Sequence, residues 1–127
     1  MELFVALGGE ASVRALVDMF YDVMDRDPRF ALLRSLHPPD LTESRDKLHW
    51  FLVGWTGGPQ MYVERRGHPR LRARHLPFPI GTVERDLWLG CMDVAIDRCV
   101  SDVPAARALR EGFSKVADHM RNQQPGA

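Results

Sequence analysis

Between Gln60 and Gly81 the chain carries Gly67, Pro69, Pro77 and Pro79, directly after the breaker Gly57-Gly58-Pro59. Proline lacks the N–H that a helix interior needs and clashes with the preceding turn, while a Gly-Gly-Pro run stops a helix arriving from upstream. The segment can therefore hold only short helical pieces. About twenty mostly irregular residues inside a compact domain usually mark function rather than connection.

On either side of this segment, apolar residues recur with the period of a helix. Glu10-Ala11-Ser12 leads into Val13, Leu16, Val17, Phe20, Tyr21 and Met24, one buried helical face that Asp27-Pro28 ends. Phe30 to Leu36 is a short apolar segment of one or two helical turns, stopped at His37-Pro38-Pro39. Asp40 or Thr42 is placed to cap a second long helix with Leu48, Phe51, Leu52 and Trp55 on its apolar face. Thr82 as N-cap, with Glu84 and Asp86 in the first turn, opens a third through Leu87, Trp88, Cys91, Met92, Ala95, Ile96 and Cys99. Ser101-Asp102-Val103-Pro104 restarts the chain into a last helix through Leu109, Phe113, Val116, Ala117 and Met120, fraying into Asn122-Gln123-Gln124-Pro125-Gly126. There is a short turn before Gly8-Gly9, with no strand alternation and no internal repeat. The reading is one all-α domain over residues 1–127, four principal helices and one odd loop. Its length suffices for a single packed core.

Charge and motifs narrow the function classes. Seventeen Lys+Arg balance seventeen Asp+Glu, so no global field favours nucleic acid or an anionic membrane. No apolar run approaches the roughly 20 residues of a membrane span. The opening MELFVALGGEAS has neither the basic region nor the apolar length of a signal peptide, so a cytoplasmic location is expected. Cys91 and Cys99 fall on one helix about 12 Å apart along its axis, beyond disulfide reach. They read as small buried apolar side chains. Phosphate loop, GxSxG, CxxC and HExxH motifs are all absent.

The irregular segment holds Arg65, Arg66, Arg70, Arg72 and Arg74, interleaved with His68 and His75. That is either a solvated surface loop or a cationic rim for an anionic small molecule, since guanidinium pairs well with carboxylate. Of the other histidines, His119 beside Asp118 is expected to be exposed and His49 peripheral. Pro69 separates His68 from His75, and a zinc site wants four close N or S ligands. His75 stands four residues after Leu71, on one face of a short helix that Pro77 ends. Taken alone, such a histidine is more often structural than a ligand. Tyr21, Trp88 and His37 change the balance, because each joins a ring to a polar hydrogen that wants a partner when buried. Each alone is ordinary core filling; the set is harder to explain that way.

These residues sit within longer motifs. They are Gly8-Gly9, Phe20-Tyr21, Asp40-Leu41-Thr42-Glu43, Gly57-Gly58-Pro59, the block from Gly67-His68-Pro69 through His75-Leu76-Pro77-Phe78, and Glu84-Arg85-Asp86-Leu87-Trp88-Leu89. Over essentially its whole length the chain resembles the truncated haemoglobins, specifically their second group. The long central block is the specific part of the match. The resemblance implies a two-over-two helical sandwich enclosing haem b (iron protoporphyrin IX), with His75 as the metal ligand. The second ring nitrogen of such a ligand typically donates to a carbonyl, and Leu71 C=O is the expected acceptor. Leu76 and Phe78 are expected to pack around the porphyrin, and Arg74 and Lys47 to meet its propionates.

On the opposite, distal side the family's hydrogen-bonding positions map onto Tyr21, His37 and Trp88. Its gate position maps onto Ser44, with Leu48 one turn later facing the iron. The segment before Pro38-Pro39 varies in length, so the middle distal position falls on His37 or on Leu36. The ligands implied are diatomic gases: oxygen, carbon monoxide and nitric oxide. Bound dioxygen carries superoxide character that Tyr21 O–H and Trp88 N–H would stabilise. At about 1.5–3 kcal/mol for each such bond, and about tenfold for each 1.4 kcal/mol, two would slow release roughly a hundredfold or more. Two function classes follow, a haem module that binds diatomic ligands and a haem enzyme, peroxidase or nitric oxide dioxygenase, served by an external reductase. Without haem, the remaining reading is a helical protein–protein module.

Overall fold

The computed structural model describes residues 2–123, and every regular element in them is helical. The elements are α1 (Glu2–Leu7), α2 (Glu10–Arg26), a 3-10 turn (Pro28–Phe30), α3 (Ala31–Ser35), α4 (Thr42–Trp55), α5 (Met61–Arg66), α6 (Leu71–His75), α7 (Thr82–Cys99) and α8 (Val103–His119). The four long helices are those the periodicity predicts, and the irregular segment holds the two short pieces α5 and α6. The expected fraying at Gln124-Pro125-Gly126 lies outside the described residues.

α2 is the central element. Its buried face is Val13, Leu16, Val17, Phe20, Tyr21, Val23 and Met24, the predicted stripe widened by Val23. It packs most extensively against α7 and next against α4. α7 also packs against α8, which follows after only Val100-Ser101-Asp102, and so short a connection makes the two antiparallel neighbours. Two helix pairs result, α2 with α4 and α7 with α8. Squeezed between α2 and α8, α7 is apolar around much of its circumference: Leu87, Trp88, Leu89 and Val94 pack on the core beside buried Cys91, Met92, Ala95 and Ile96. At the α2–α7 seam the Cys91 thiol donates to Phe20 O at 3.3 Å. Burial pushes that thiol's pKa up to about 12, which leaves it unreactive.

Several local expectations are corrected. α7 is capped by Gly81, whose N–H donates to Glu84 Oε1 at 2.6 Å, and Thr82 is its first helical residue. α4 is capped by Leu41. Asp40 instead accepts the Thr42 N–H at 2.9 Å, forming the turn that leads in. Cys99 is exposed although Cys91 is buried. Eight residues rotate a helix by about 80° beyond two full turns, which carries the second thiol off the buried face. His49 is buried, at 5% exposure, and its Nε2 lies 3.3 Å from Glu10 Oε1. Its place on α4 falls beside Leu52 and Val53, against α2, outside the stripe of Leu48, Phe51 and Trp55.

α8 passes close to Trp55 at Gly112. A Cβ added there would stand 2.7 Å from Cη2 of Trp55, whose ring is stacked on Phe113 with centroids 4.8 Å apart. The ring cannot step aside cheaply. Gly112→Ala is therefore expected to cost about 1–3 kcal/mol by overpacking, despite alanine's better helix propensity. A fall in thermal midpoint of about 4 °C per kcal/mol, read by circular dichroism, is the check. An unchanged midpoint would mean that Trp55 can shift without penalty.

Candidate functional site

His75 is the last residue of α6, and Pro77 prevents the helix from continuing. Its Nδ1 lies 2.6 Å from Leu71 O, the acceptor expected from the sequence. A carbonyl can only accept, so Nδ1 carries the hydrogen and the neutral ring keeps its lone pair on Nε2. Among the described residues that Nε2 has no hydrogen-bonding partner. Beside it stand Leu76 and Phe78, 52% and 43% exposed. Two large apolar side chains left open next to an unpaired imidazole nitrogen are what a flat apolar group would cover.

Tyr21 and Trp88 are brought together by Phe20. The Phe20 ring is edge-on to Tyr21 at 5.0 Å between centroids and tilted against Trp88 at 5.2 Å. Trp88 also meets Phe113 edge-on at 5.4 Å. Burial raises the Tyr21 pKa well above its usual value, against the opposing charge of Arg45, so its hydroxyl stays protonated. Neither the Tyr21 hydroxyl nor the Trp88 indole N–H has a protein acceptor among the described residues, and neither is among the polar atoms buried without a partner, so both are accessible donors.

His37, not Leu36, packs against Tyr21, edge-on at 5.9 Å between ring centroids. Its Nδ1 donates to Leu33 O at 2.9 Å. Burial lowers its pKa. The Leu33 carbonyl opposes that shift, and the positive charge of Arg34 adds to it. The ring is therefore neutral at pH 7 with its free lone pair on Nε2. His37 differs from Tyr21 and Trp88 in kind: it offers an acceptor where they offer donors.

Ser44 and Leu48 are both half-buried, one turn apart on α4. Lys47 Nζ is held 2.9 Å from Glu43 Oε1, and Arg66 lies 3.6 Å from the same oxygen. Arg74 is exposed, its guanidinium 5.8 Å from the Tyr62 ring centroid, with no carboxylate partner among the described residues. A cavity of about 550 Å³ has Phe51, Leu71, Val116 and Met120 in its walls, together with Arg70, Arg72 and Lys115. It reaches the predicted set only through Leu71, the residue that orients His75. His68 serves its own turn, its Nδ1 accepting the Arg70 N–H at 3.1 Å.

Two arginines that support the site have no signature in the sequence. Arg45 reaches Asp18 Oδ1 at 3.1 Å and Asp22 Oδ1 at 2.8 Å, with its guanidinium 5.8 Å from the Tyr21 ring centroid. It ties α4 to α2 directly above that ring. Arg34 bonds Asp25 at 2.9 Å and the carbonyls of Pro38 and Pro39 at 2.9 Å each, pinning the turn after His37. No local pattern distinguishes either from the chain's other arginines.

The donor set can be matched to a cofactor. Among the described residues no cluster of three or more His, Cys, Asp or Glu could hold a bare metal ion. A solitary histidine suits a metal that arrives with its other ligands, as in a porphyrin. The half-buried aromatics, the open apolar pair and the unpaired Arg74 fit such a ring and its carboxylates. No described helix is long and apolar enough to cross a membrane.

Comparison with known proteins points the same way. A family model described as bacterial-like globin matches residues 2–122. Group 2 truncated hemoglobin YjbI of Bacillus subtilis is 43% identical over 115 residues, covering 91% of this chain and 85% of that protein. The solved group II 2-on-2 hemoglobin of Agrobacterium tumefaciens superposes with a TM-score of 0.93 at 43% identity, covering 96% of this chain and 95% of that one. A truncated oxygen-avid haemoglobin from Bacillus subtilis does so at 0.87 and 41% identity, covering 94% and 98%.

Proposed function

This chain belongs to the bacterial-like globins, among the group II truncated haemoglobins, and on that premise we propose that it binds haem b through His75 and holds diatomic ligands beside Tyr21 and Trp88. The observation that carries this reading is a set of four polar ring groups with unmet capacity. His75 Nε2 is free behind a locked tautomer, and Tyr21 O–H, Trp88 N–H and His37 Nε2 lack protein partners among the described residues.

Haem, when bound, supplies an iron that takes a diatomic ligand and changes its oxidation state by one electron. The chain supplies the rest. Leu71 C=O fixes the His75 ring and makes its second nitrogen a stronger base. Tyr21 and Trp88 donate to negative charge on the ligand, and Arg45 and Phe20 hold those donors in place. His37 brings a lone pair to the same place at neutral pH. Arg74 takes a propionate, and Lys47 a second by leaving Glu43. Leu76 and Phe78 would cover the ring, and Ser44 and Leu48 would line the ligand's side of it, with the small Ser44 leaving access. Two donors on one ligand favour retention of oxygen, the property for which the Bacillus subtilis relative is described as oxygen-avid. The same donors suit a peroxidase or a nitric oxide dioxygenase, which would draw electrons from an external reductase.

Haem titration of the purified protein, followed by visible absorption of the ferric, dithionite-reduced and carbon monoxide forms, tests the reading. Saturation at one haem per chain with a histidine-ligated spectrum is expected. No uptake would sink it. Oxygen-release rates beside single-turnover reaction with nitric oxide then separate the binding module from the enzyme.

A further inference from the structure

The six residues from His75 to Ile80 cannot satisfy their own backbone. α6 ends at His75, so its last carbonyls are left without helical partners, and Pro77 and Pro79 contribute no N–H. One internal bond remains, from Phe78 N to His75 O at 2.9 Å. The Leu76 N–H reaches back to Arg72 O at 3.1 Å, and the partners of Phe78 O and of Ile80 come from the far end of the chain. Asn122 Nδ2 donates to Phe78 O at 2.9 Å and to His75 O at 3.3 Å, and Asn122 Oδ1 accepts the Ile80 N–H at 3.0 Å. Ile80 O in turn accepts the N–H of Asn122 at 2.8 Å and that of Gln123 at 3.2 Å. A single amide thus grips the segment at three points, one of them the carbonyl of His75 itself.

Asn122 also stands where it can transmit position. It lies just past the end of α8, and α8 is seated on α7 through the buried Leu109, Phe113 and Ala117. α6 has no buried residue of its own and cannot be positioned by a core it does not join. From the left-handed Arg70 that precedes it, at φ 47°, to Pro79 the segment lies largely on the surface. The geometry assigns Asn122 as the positioning residue for His75: its amide fixes the segment that carries this histidine to the α7–α8 pair and so would set how the ring meets a bound metal. This rests on the haem reading above. It goes further by naming a residue, remote in sequence by 47 positions, that governs the proximal bond without touching it.

Asparagine is the suitable side chain because it combines donor and acceptor on one short plane. The substitution Asn122→Asp would keep an acceptor for Ile80 but turn an oxygen toward two carbonyls.

The test compares wild type, Asn122→Ala and Asn122→Asp, with Ser114→Ala, an exposed α8 side chain that takes no part in the grip, as the control. Three quantities are read: the iron–histidine stretching band of the reduced protein by resonance Raman, amide hydrogen exchange at Ile80, and the rate of haem transfer to an apo-globin acceptor. Both Asn122 variants should shift and broaden the band, expose the Ile80 amide, and release haem about tenfold faster, the scale of one or two lost hydrogen bonds. Ser114→Ala should match wild type in all three. Faster Ile80 exchange with an unmoved band overturns the proposal, since Asn122 then only fastens a loop. An unmoved band with unchanged exchange overturns it too. If wild type itself takes up no haem, the haem reading and this one fall together. A haem-loaded wild type with normal variants sinks only the positioning role.

Discussion

His75→Ala is expected to lose its haem on gel filtration, with the Soret absorbance per chain falling at least tenfold. α6 brings no second nitrogen to replace the one removed. His68 is turned into its own loop by the Arg70 N–H, and His37 holds its free nitrogen on the side of Tyr21. A tenfold drop is about 1.4 kcal/mol, a modest demand on a coordinate bond. Helical structure should survive, because α6 buries nothing that the core needs. Circular dichroism close to wild type would therefore accompany the spectral loss, and imidazole in the medium should restore part of the spectrum by occupying the vacated place. Retained haem with an unaltered spectrum would mean that His75 is not the ligand, and the arginine-rich segment would revert to a solvated loop.

Tyr21→Phe is expected to speed oxygen release by about 10- to 150-fold, the kinetic equivalent of one charge-assisted hydrogen bond of about 1.5–3 kcal/mol. The substitution keeps the ring and its contacts with Phe20 and His37, so a change reports the hydroxyl. Trp88→Phe should act in the same direction while also leaving space between Phe20 and Phe113. Both donors lean on Phe20, so the double variant need not equal the sum of the singles. It should still exceed roughly a hundredfold, the scale of two such bonds. His37→Leu should change the rate little at pH 7, because a neutral ring whose only hydrogen is given to Leu33 has none to give the ligand. Stopped-flow displacement of oxygen by carbon monoxide measures all four. Equal rates in Tyr21→Phe and wild type would remove the hydroxyl from the ligand's surroundings.

Much of this site is legible in the chain alone. Leu71 and His75 are one helical turn apart, which puts the carbonyl within reach of the imidazole; the bond itself is what the resemblance implies and the structure shows. Tyr21 belongs to the periodic stripe of α2 and Trp88 to that of α7, so the burial of the first and the half-burial of the second follow from pattern. The distal character of His37 does not follow. Neutral with its hydrogen committed to Leu33, it is an acceptor, and that depends on which nitrogen the α3 carbonyl meets. Periodicity misplaces both His49 and Cys99, because a stripe drawn on one helix does not say how many neighbours that helix will have. α4 is covered from a second side, while on α7 the helical rotation from Cys91 to Cys99 carries the second thiol off the covered face.

Local chemistry was enough to set the helices, their breaks and the imidazole poised at the end of α6. Those depend on hydrogen bonds and side-chain rotations within a turn or two, which neighbouring residues control. Only the packed molecule decided that Arg45 braces Tyr21 from α4 and that Asn122 holds the carbonyl of His75. These bonds join residues up to 47 positions apart. A contact of that kind leaves no period and no spacing in the chain; it exists because two helix pairs, once packed, bring their loose ends to the same place.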